Sequence, residues 1–397
     1  MEVSMATSSY PTSSNLDHSV SDVFLTNEDC IGRGWNLINS TDDEINKFVT
    51  PLITRVRVLY LQPLVALVGI LGNLAFMFIV WKVPHMRNSM NIILLNLSVA
   101  DLLYLVVGTT ERFFNVLLSP VLGYTIFFGH ILQCLIIFPL VNFVTFTSLL
   151  LVSLISVDRY IAICKPLQHI KMAGRRQAHA YVRLVWVFSL LLALILLPST
   201  MELLTICFQW PNTEKYENFP AKVELCNSRN DIWFSVDQCV QILPFFIALI
   251  LNLFCFVKII FRLNMRMTSE STNEKSQHDR QVRRIQRDSA NAATRMLLIN
   301  GIAFFVLATP FHVTSAIQVI QRWLIAWSCQ CETFKNLSIL LLYINSAVNP
   351  FIYGVTNRAY RQAYYSVFYN TISKSSDSRI SITTSTRSQN ESMNTHI

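Results

Sequence analysis

Seven long apolar stretches dominate this chain. They run from Val56 to Trp81, Met90 to Val107, Ile131 to Ile163, Val182 to Leu197, Cys239 to Phe261, Met296 to Ile320 and Leu337 to Val355. A hydrocarbon core of about 30 Å is crossed by about 20 residues of helix, and inside it every backbone polar group has to be satisfied within the segment. The prediction is an all-α membrane protein, a seven-transmembrane helix bundle. Composition supports it, because only 14% of the 397 residues are charged, against roughly 25% in a soluble domain. Pro63, Pro139, Pro244, Pro310 and Pro350 lie inside the stretches and read as kinks. Asp101 and the pair Asp158 and Arg159 are charges left within them. Facing lipid at a helix centre, each would cost about 2.5–3.5 kcal/mol, so they belong in the bundle interior or at a boundary.

The connections set the orientation. Those after the first, third and fifth stretches hold sixteen Lys and Arg, and the alternate ones hold six. By the positive-inside rule the amino terminus is outside and the carboxyl terminus cytosolic, in a multi-pass plasma-membrane protein. The first 14 residues lack a basic start followed by an apolar run, so the first helix is expected to do the targeting. The outer face, tail included, carries 16 acidic against 10 basic residues, and the inner face is strongly basic. That balance favours a cationic partner outside, and anionic membrane lipid and an acidic protein surface inside.

Three regions follow. Residues 1–55 begin with a segment rich in Ser, Thr, Asn and Asp, expected to be a disordered extracellular tail. Residues 56–369 form the membrane domain. Its last segment, 356–369, alternates Arg358 and Arg361 with Tyr360, Tyr364, Val367 and Phe368, and reads as an amphipathic helix on the inner membrane surface. Residues 370–397, with thirteen Ser or Thr after position 370, form a disordered cytoplasmic tail. Arg280, Arg283, Arg284 and Arg287 fall at helical spacing, so the fifth and sixth helices should extend beyond the bilayer. Asn39, in Asn39-Ser40-Thr41, is the glycosylation acceptor of the outer tail.

The polar residues within the spans sharpen this reading. They are Gly72-Asn73; Asn96-Leu97-Ser98-Val99-Ala100-Asp101; Cys134 opening and Asp158-Arg159-Tyr160 closing the third helix; Trp186; Pro244; Phe304 and Pro310; and Asn345-Ser346 before Asn349-Pro350-Phe351-Ile352-Tyr353. In this order and on these spans the pattern resembles the rhodopsin-like (class A) G-protein-coupled receptors, over about Val56 to Tyr369. It is most similar to neuropeptide receptors of the thyrotropin-releasing hormone, neuromedin, and allatostatin or galanin kinds. The resemblance implies a cell-surface receptor, not an enzyme, whose partners are an extracellular ligand, a heterotrimeric G protein, a receptor kinase and arrestin, and not nucleic acid.

It also implies roles for residues. Asp158, Arg159, Tyr160, Phe304, Pro310, Asn349, Pro350 and Tyr353 would form the G-protein coupling and activation switch. On the residues alone, Arg159 beside an acid is equally a boundary arginine reaching for headgroups. Asp101 would sit among Asn73, Ser148, Asn345, Ser346 and Asn349, with Asp101, Ser148, Asn345 and Asn349 holding a sodium ion or forming a dry hydrogen-bonded network. No other cofactor is expected. Cys226 would bond Cys134, tying down a β-hairpin between the fourth and fifth helices. Cys30, Cys207, Cys329 and Cys331 are left with open pairings, among them a bridge from Cys30 to the last outer loop.

Departures from the family pattern matter as much. Two residues before Pro310, where the family usually has a tryptophan, stands Ala308, which removes the floor of the usual pocket and leaves room for a deeper ligand. Eight residues after Pro244, where a tyrosine is common, stands Asn252. Val141 replaces the aspartate of amine receptors and Tyr343 the lysine of opsins, so neither ligand is expected. The ligand set would be Glu111, Val141, Asn142, Thr145, Asp237, His312, Ser315 and Tyr343, with Glu202 and Glu332 completing an acidic rim that is either merely solvated or a seat for a cationic peptide. A small molecule or lipid is the alternative ligand. A transporter or channel would show a repeat and ionisable residues along a path, and an enzyme a motif such as HExxH or GxSxG; the chain has neither.

Overall fold

A computed structural model of the chain describes residues 33–122, 129, 132–172, 174–228, 230–268, 277–324 and 332–367. Seven of its helices are long and apolar enough to cross a membrane. They are α1 (Leu52–Lys82), α2 (Ser89–Leu118), α3 (Gln133–Cys164), α4 (Arg175–Ile195), α5 (Asp231–Thr268), α6 (Gln277–Leu324) and α7 (Glu332–Thr356). The fifth and sixth run well past their apolar stretches, as the spacing of the arginines predicts. Asn88 caps α2 by accepting a hydrogen bond from the Asn91 amide at 2.9 Å, which satisfies one of the orphan donors of the first turn.

Apolar side chains lie on both sides of these helices, as expected where one face meets helices and the other lipid. Leu64, Leu190, Ile250 and Val306 are exposed, while Phe76, Leu97, Val152, Phe245 and Phe305 form part of one continuous core. Polar contacts fix which helices meet. The Trp186 indole donates to Asn96 at 3.0 Å, joining α4 to α2. The Asn73 amide donates to the Ser346 carbonyl at 3.0 Å, joining α1 to α7. That approach needs a glycine one turn earlier, because a Cβ on Gly69 would lie 2.7 Å from that of Ala347.

The hairpin predicted between α4 and α5 is present as strands β2 (Glu202–Gln209) and β3 (Lys222–Asn227), antiparallel and in register from Glu202 opposite Asn227 to Cys207 opposite Lys222. Cys134 and Cys226 form a disulfide that ties β3 to the start of α3. Cys207 is also disulfide-bonded; the other cysteines left open in the sequence, Cys30, Cys329 and Cys331, lie outside the described residues.

One expectation requires correction. The tail is not disordered over 33–55. Strand β1 (Arg33–Asn36) pairs parallel with β2, Gly34 opposite Cys207, and makes the sheet three-stranded. A short helix, Asp42–Asn46, follows behind a capping box from Thr41 and Glu44. Trp35, Leu37, Ile45 and Phe48 then pack with Val121, Ile206, Phe208, Tyr216, Val223 and Leu225 in a second core. Hydrogen bonds from Tyr216 and Lys215 hold the exposed Asp42 carboxyl below its ordinary range. Asn39 stands on an exposed turn of this cap.

The amphipathic helix expected after α7 is present. The chain breaks at Asn357 and resumes as α8 over 358–367. Tyr360, Ala363 and Val367 share one face and belong to the bundle core, so the helix is docked on the bundle as well as amphipathic. The Tyr360 hydroxyl donates to Asn91, and its ring stacks on Phe76 with centroids 6.1 Å apart. Burial pushes both hydroxyls up, that of Tyr364 to about 12, so they stay protonated.

The cap makes a prediction. The Phe48 ring lies 5.2 Å from that of Trp35 and 5.4 Å from that of Phe208. Phe48→Ala removes about 3 kcal/mol or more of local packing. Limited proteolysis of the intact membrane protein should then cut within residues 33–50 at least tenfold faster, while the bundle stays resistant; an unchanged cleavage rate would show that the cap does not depend on this core.

Candidate ligand chamber and switch

Helix α3 runs from the sheet, where Cys134 is bonded to Cys226, to Arg159 twenty-five residues on, a rise of about 37 Å at 1.5 Å per residue. The bundle therefore has a sheet-bearing end and an Arg159 end, and the candidate residues divide between them.

Two adjoining cavities lie toward the sheet, sharing Tyr104 and Leu342. The outer is bordered by Glu111, Arg112, Val141 and Tyr343, and the inner by Thr145, Gln241, Phe245, Phe304, Ala308 and His312, reaching Ser148, Asn345 and Ser346. The empty space of the inner cavity, counting its open mouth, is about 530 Å³. Five of the eight ligand residues expected from sequence, Glu111, Val141, Thr145, His312 and Tyr343, thus line a cavity. The other three border neither of the two. Asn142 is buried elsewhere on α3, Ser315 donates to the Phe311 carbonyl at 3.1 Å, and Asp237 accepts from Ser199 at 3.2 Å and Gln241 at 2.9 Å.

The acidic rim needs correcting too. Glu111 pairs with Arg112 at 3.0 Å and accepts from Asn115 at 2.6 Å and Gln133 at 2.8 Å. Asp237 is buried, Glu202 is exposed on β2, and the Glu332 side chain lies outside the described residues. The two buried carboxylates are already engaged, so a cation would have to displace their partners. Sequence reasoning missed Tyr104, Gln241, Phe245 and Leu342. Two pairings were legible as helical spacing: Tyr104 stands one turn from Asp101 on the side of Glu111, and Gln241 and Phe245 lie one turn apart beside Pro244.

Below the inner cavity lies the Asp101 cluster. Asn349 donates to the Asp101 carboxylate at 2.7 Å and Ser148 at 3.3 Å, while the amide of Asn73 is committed to α1 and α7 backbone. The Asn345 side-chain oxygen is buried with no hydrogen-bond partner among the described residues. Carboxylate, hydroxyl and amide oxygens are donors that suit a hard cation. Among the described residues no group of three or more His, Cys, Asp or Glu is placed to hold a metal.

At the other end Arg159 forms a local ion pair with Asp158. Its Nη2 lies 2.5 Å and its Nε 3.1 Å from Asp158 Oδ2, with His169 Nε2 at 3.8 Å from Oδ1. Tyr160 packs on Phe254 of α5, centroids 5.8 Å apart. Tyr353 is fully buried between Phe76 and Tyr360, with centroids at 5.1 and 5.9 Å. Asn252, at the site of the usual tyrosine, donates to Ser153 Oγ at 3.0 Å and to the Ala248 carbonyl at 2.7 Å, joining α5 to α3. Phe304 meets Phe305 edge to face at 5.3 Å, above this region and below Pro310.

Comparison with known proteins agrees with this geometry. The family model described as 7 transmembrane receptor (rhodopsin family) matches residues 72–353. Neuromedin-U receptor 2 of Mus musculus and that of Rattus norvegicus are each 26% identical over 344 residues, covering 83% of this chain and 80% of theirs. The Homo sapiens protein of that name is 24% identical over 344 residues, covering 83% and 76%. With seven spans, a buried carboxylate among amides and hydroxyls, and an Asp-Arg-Tyr end to α3, the chain belongs to the rhodopsin family of seven-transmembrane, G-protein-coupled receptors.

Proposed function

We propose that this receptor sits in the plasma membrane with its sheet-bearing end outside, binds an extracellular neuropeptide there, and activates heterotrimeric G proteins at the Arg159 end. The observation that carries the reading is the separation of a lined chamber from an arginine held by a local carboxylate, at opposite ends of one helix. A chamber under a stiff β lid suits a peptide, whose backbone and side chains can engage both, and the relatives are named for a neuropeptide. The lysine and arginine bias of the connections supports the orientation.

Signal transfer then follows from competition for one guanidinium. Asp158 holds Arg159 through two hydrogen bonds to one oxygen. A partner offering better-placed acceptors draws it away, and any ligand that favours the open bundle shifts that equilibrium. The bond between Asn252 and Ser153 favours the closed one. Asp101 and Ser148 would hold a sodium ion, whose charge would balance the carboxylate, and the Asn345 oxygen is left to the inner cavity that it borders. Asn39, exposed on the cap, would carry a glycan. The Ser- and Thr-rich tail would be phosphorylated by a receptor kinase and then bound by arrestin, each phosphate adding about −1.5 to −2 charges at neutral pH.

Four experiments test this. In cells screened with a neuropeptide library that includes neuromedin U, at least one peptide should evoke a calcium or cyclic AMP response. Arg159→Ala should abolish agonist-driven nucleotide exchange with surface expression intact; full signalling by that variant would remove Arg159 from the switch. Asn252→Ala deletes one interhelical hydrogen bond worth about 1 kcal/mol, so basal nucleotide exchange should rise about fivefold. Ser153→Ala should do the same and the double variant no more, because the same bond is lost; additive effects would argue against the latch. Truncation after Asn370 should abolish arrestin recruitment and slow internalisation, and equal recruitment by both forms would reject the tail as the off-switch.

A further inference from the structure

Positions 304, 308 and 312 stand one turn apart on one face of α6, and all three border the inner cavity. Phe304 and His312 bring rings to that face, and Ala308 between them brings a methyl group. The His312 ring is stacked on Phe245 of α5, with centroids 3.8 Å apart and planes within 14°. The result is a gap with an aromatic ceiling, an aromatic floor and nothing but a methyl group on the wall between.

The chemistry of the lining limits what can fill it. Asp, Glu, Lys and Arg are absent from the residues that border the cavity, and His312 is its one titratable side chain besides Tyr104, so a charged occupant would be desolvated without a carboxylate, ammonium or guanidinium in contact. Polar groups sit at its two ends instead. His312 Nδ1 and Asn345 Oδ1 are buried and lack hydrogen-bond partners among the described residues, and the two side chains are 5% and 6% exposed. Orphaned polar atoms are costly, and a pair of them bordering one cavity points to a group that satisfies at least one. Asn345 Oδ1 can only accept, and neutral His312 accepts at one ring nitrogen.

We infer that this gap is a binding subsite for a neutral aromatic ring carrying one hydrogen-bond donor, a phenol or an indole, seated between Phe304 and the stacked pair of Phe245 and His312. The subsite deepens the receptor reading above: the natural ligand is one that lowers such a ring past Tyr104 and Leu342 into the inner cavity. Ring stacking and edge contacts hold the ring, and the donor sets its depth.

The test uses the full-length receptor in lipid nanodiscs, with phenol and toluene as probes and the thermal unfolding midpoint as readout. Both probes should raise the midpoint as their concentration rises, and phenol should reach the same shift at about fivefold lower concentration, the worth of one buried hydrogen bond. Ala308→Trp puts an indole in the gap and should abolish the response; should that variant not fold, Ala308→Leu serves the same purpose. His312→Phe keeps the stack on Phe245, and it or Asn345→Ala should cancel the advantage of phenol while sparing toluene. A phenol shift retained in the filled variants, or equal concentrations for the two probes, overturns the inference. The readout contains no G protein and no peptide, so it stands or falls separately from the signalling assignment.

Discussion

A carboxylate cannot be left alone inside a membrane protein, and much of the helix arrangement answers to Asp101. Its buried side chain takes hydrogen bonds from α3 through Ser148 and from α7 through Asn349. Beside it, Asn73 ties α1 to α7. Removing a helix from this set would leave a buried charge or amide without partners, at several kcal/mol each. The inner cavity reaches the same level through Ser148, Asn345 and Ser346, so whatever enters from the sheet-bearing end comes to rest on the web that positions α7. Tyr353, further along α7, is packed against Phe76 and Tyr360. Chamber, polar web and switch are thus successive levels of one packed column.

The seven spans, the hairpin lid and the Asp158 to Arg159 pair were legible in the chain because each rests on local signals: runs of apolar residues, a turn between two alternating segments, and adjacent opposite charges. The cap over 33–50 was not. Trp35, Leu37, Ile45 and Phe48 are sparse among polar residues, and their partners in β2 and β3 are more than 150 positions away, so no local period announces them. Within the chamber, Thr145 and His312, nominated from family positions, border the inner cavity. Asn142 and Ser315, nominated in the same way, are buried and border neither cavity. Counting acids is a weaker guide still. The net charge of a rim says nothing of who is paired, and Arg112 beside Glu111 takes up the charge that a ligand was expected to meet.

The short helix after α7 teaches a related lesson. Its mixture of tyrosines and arginines reads equally as a raft on lipid or as a brace against protein. The deciding term is the register: Tyr360, Ala363 and Val367 face the bundle, while Tyr365 is left exposed. A tyrosine hydroxyl that donates to Asn91 of α2 brings the end of the membrane domain into contact with its first turn of the second span.

The parallel pairing of β1 with β2 has a consequence for the making of the molecule. Residues 33–36 are synthesised early, yet the strand that completes them lies at 206–209 and the disulfide that steadies that strand's partner needs Cys226. At about 5–20 residues per second, the leading segment waits roughly 10–40 s with Trp35 and Phe48 uncovered. Biogenesis of this chain is therefore a problem of timing: the segment at 33–36 has to stay available until the strands at 202–209 and 222–227 have been made.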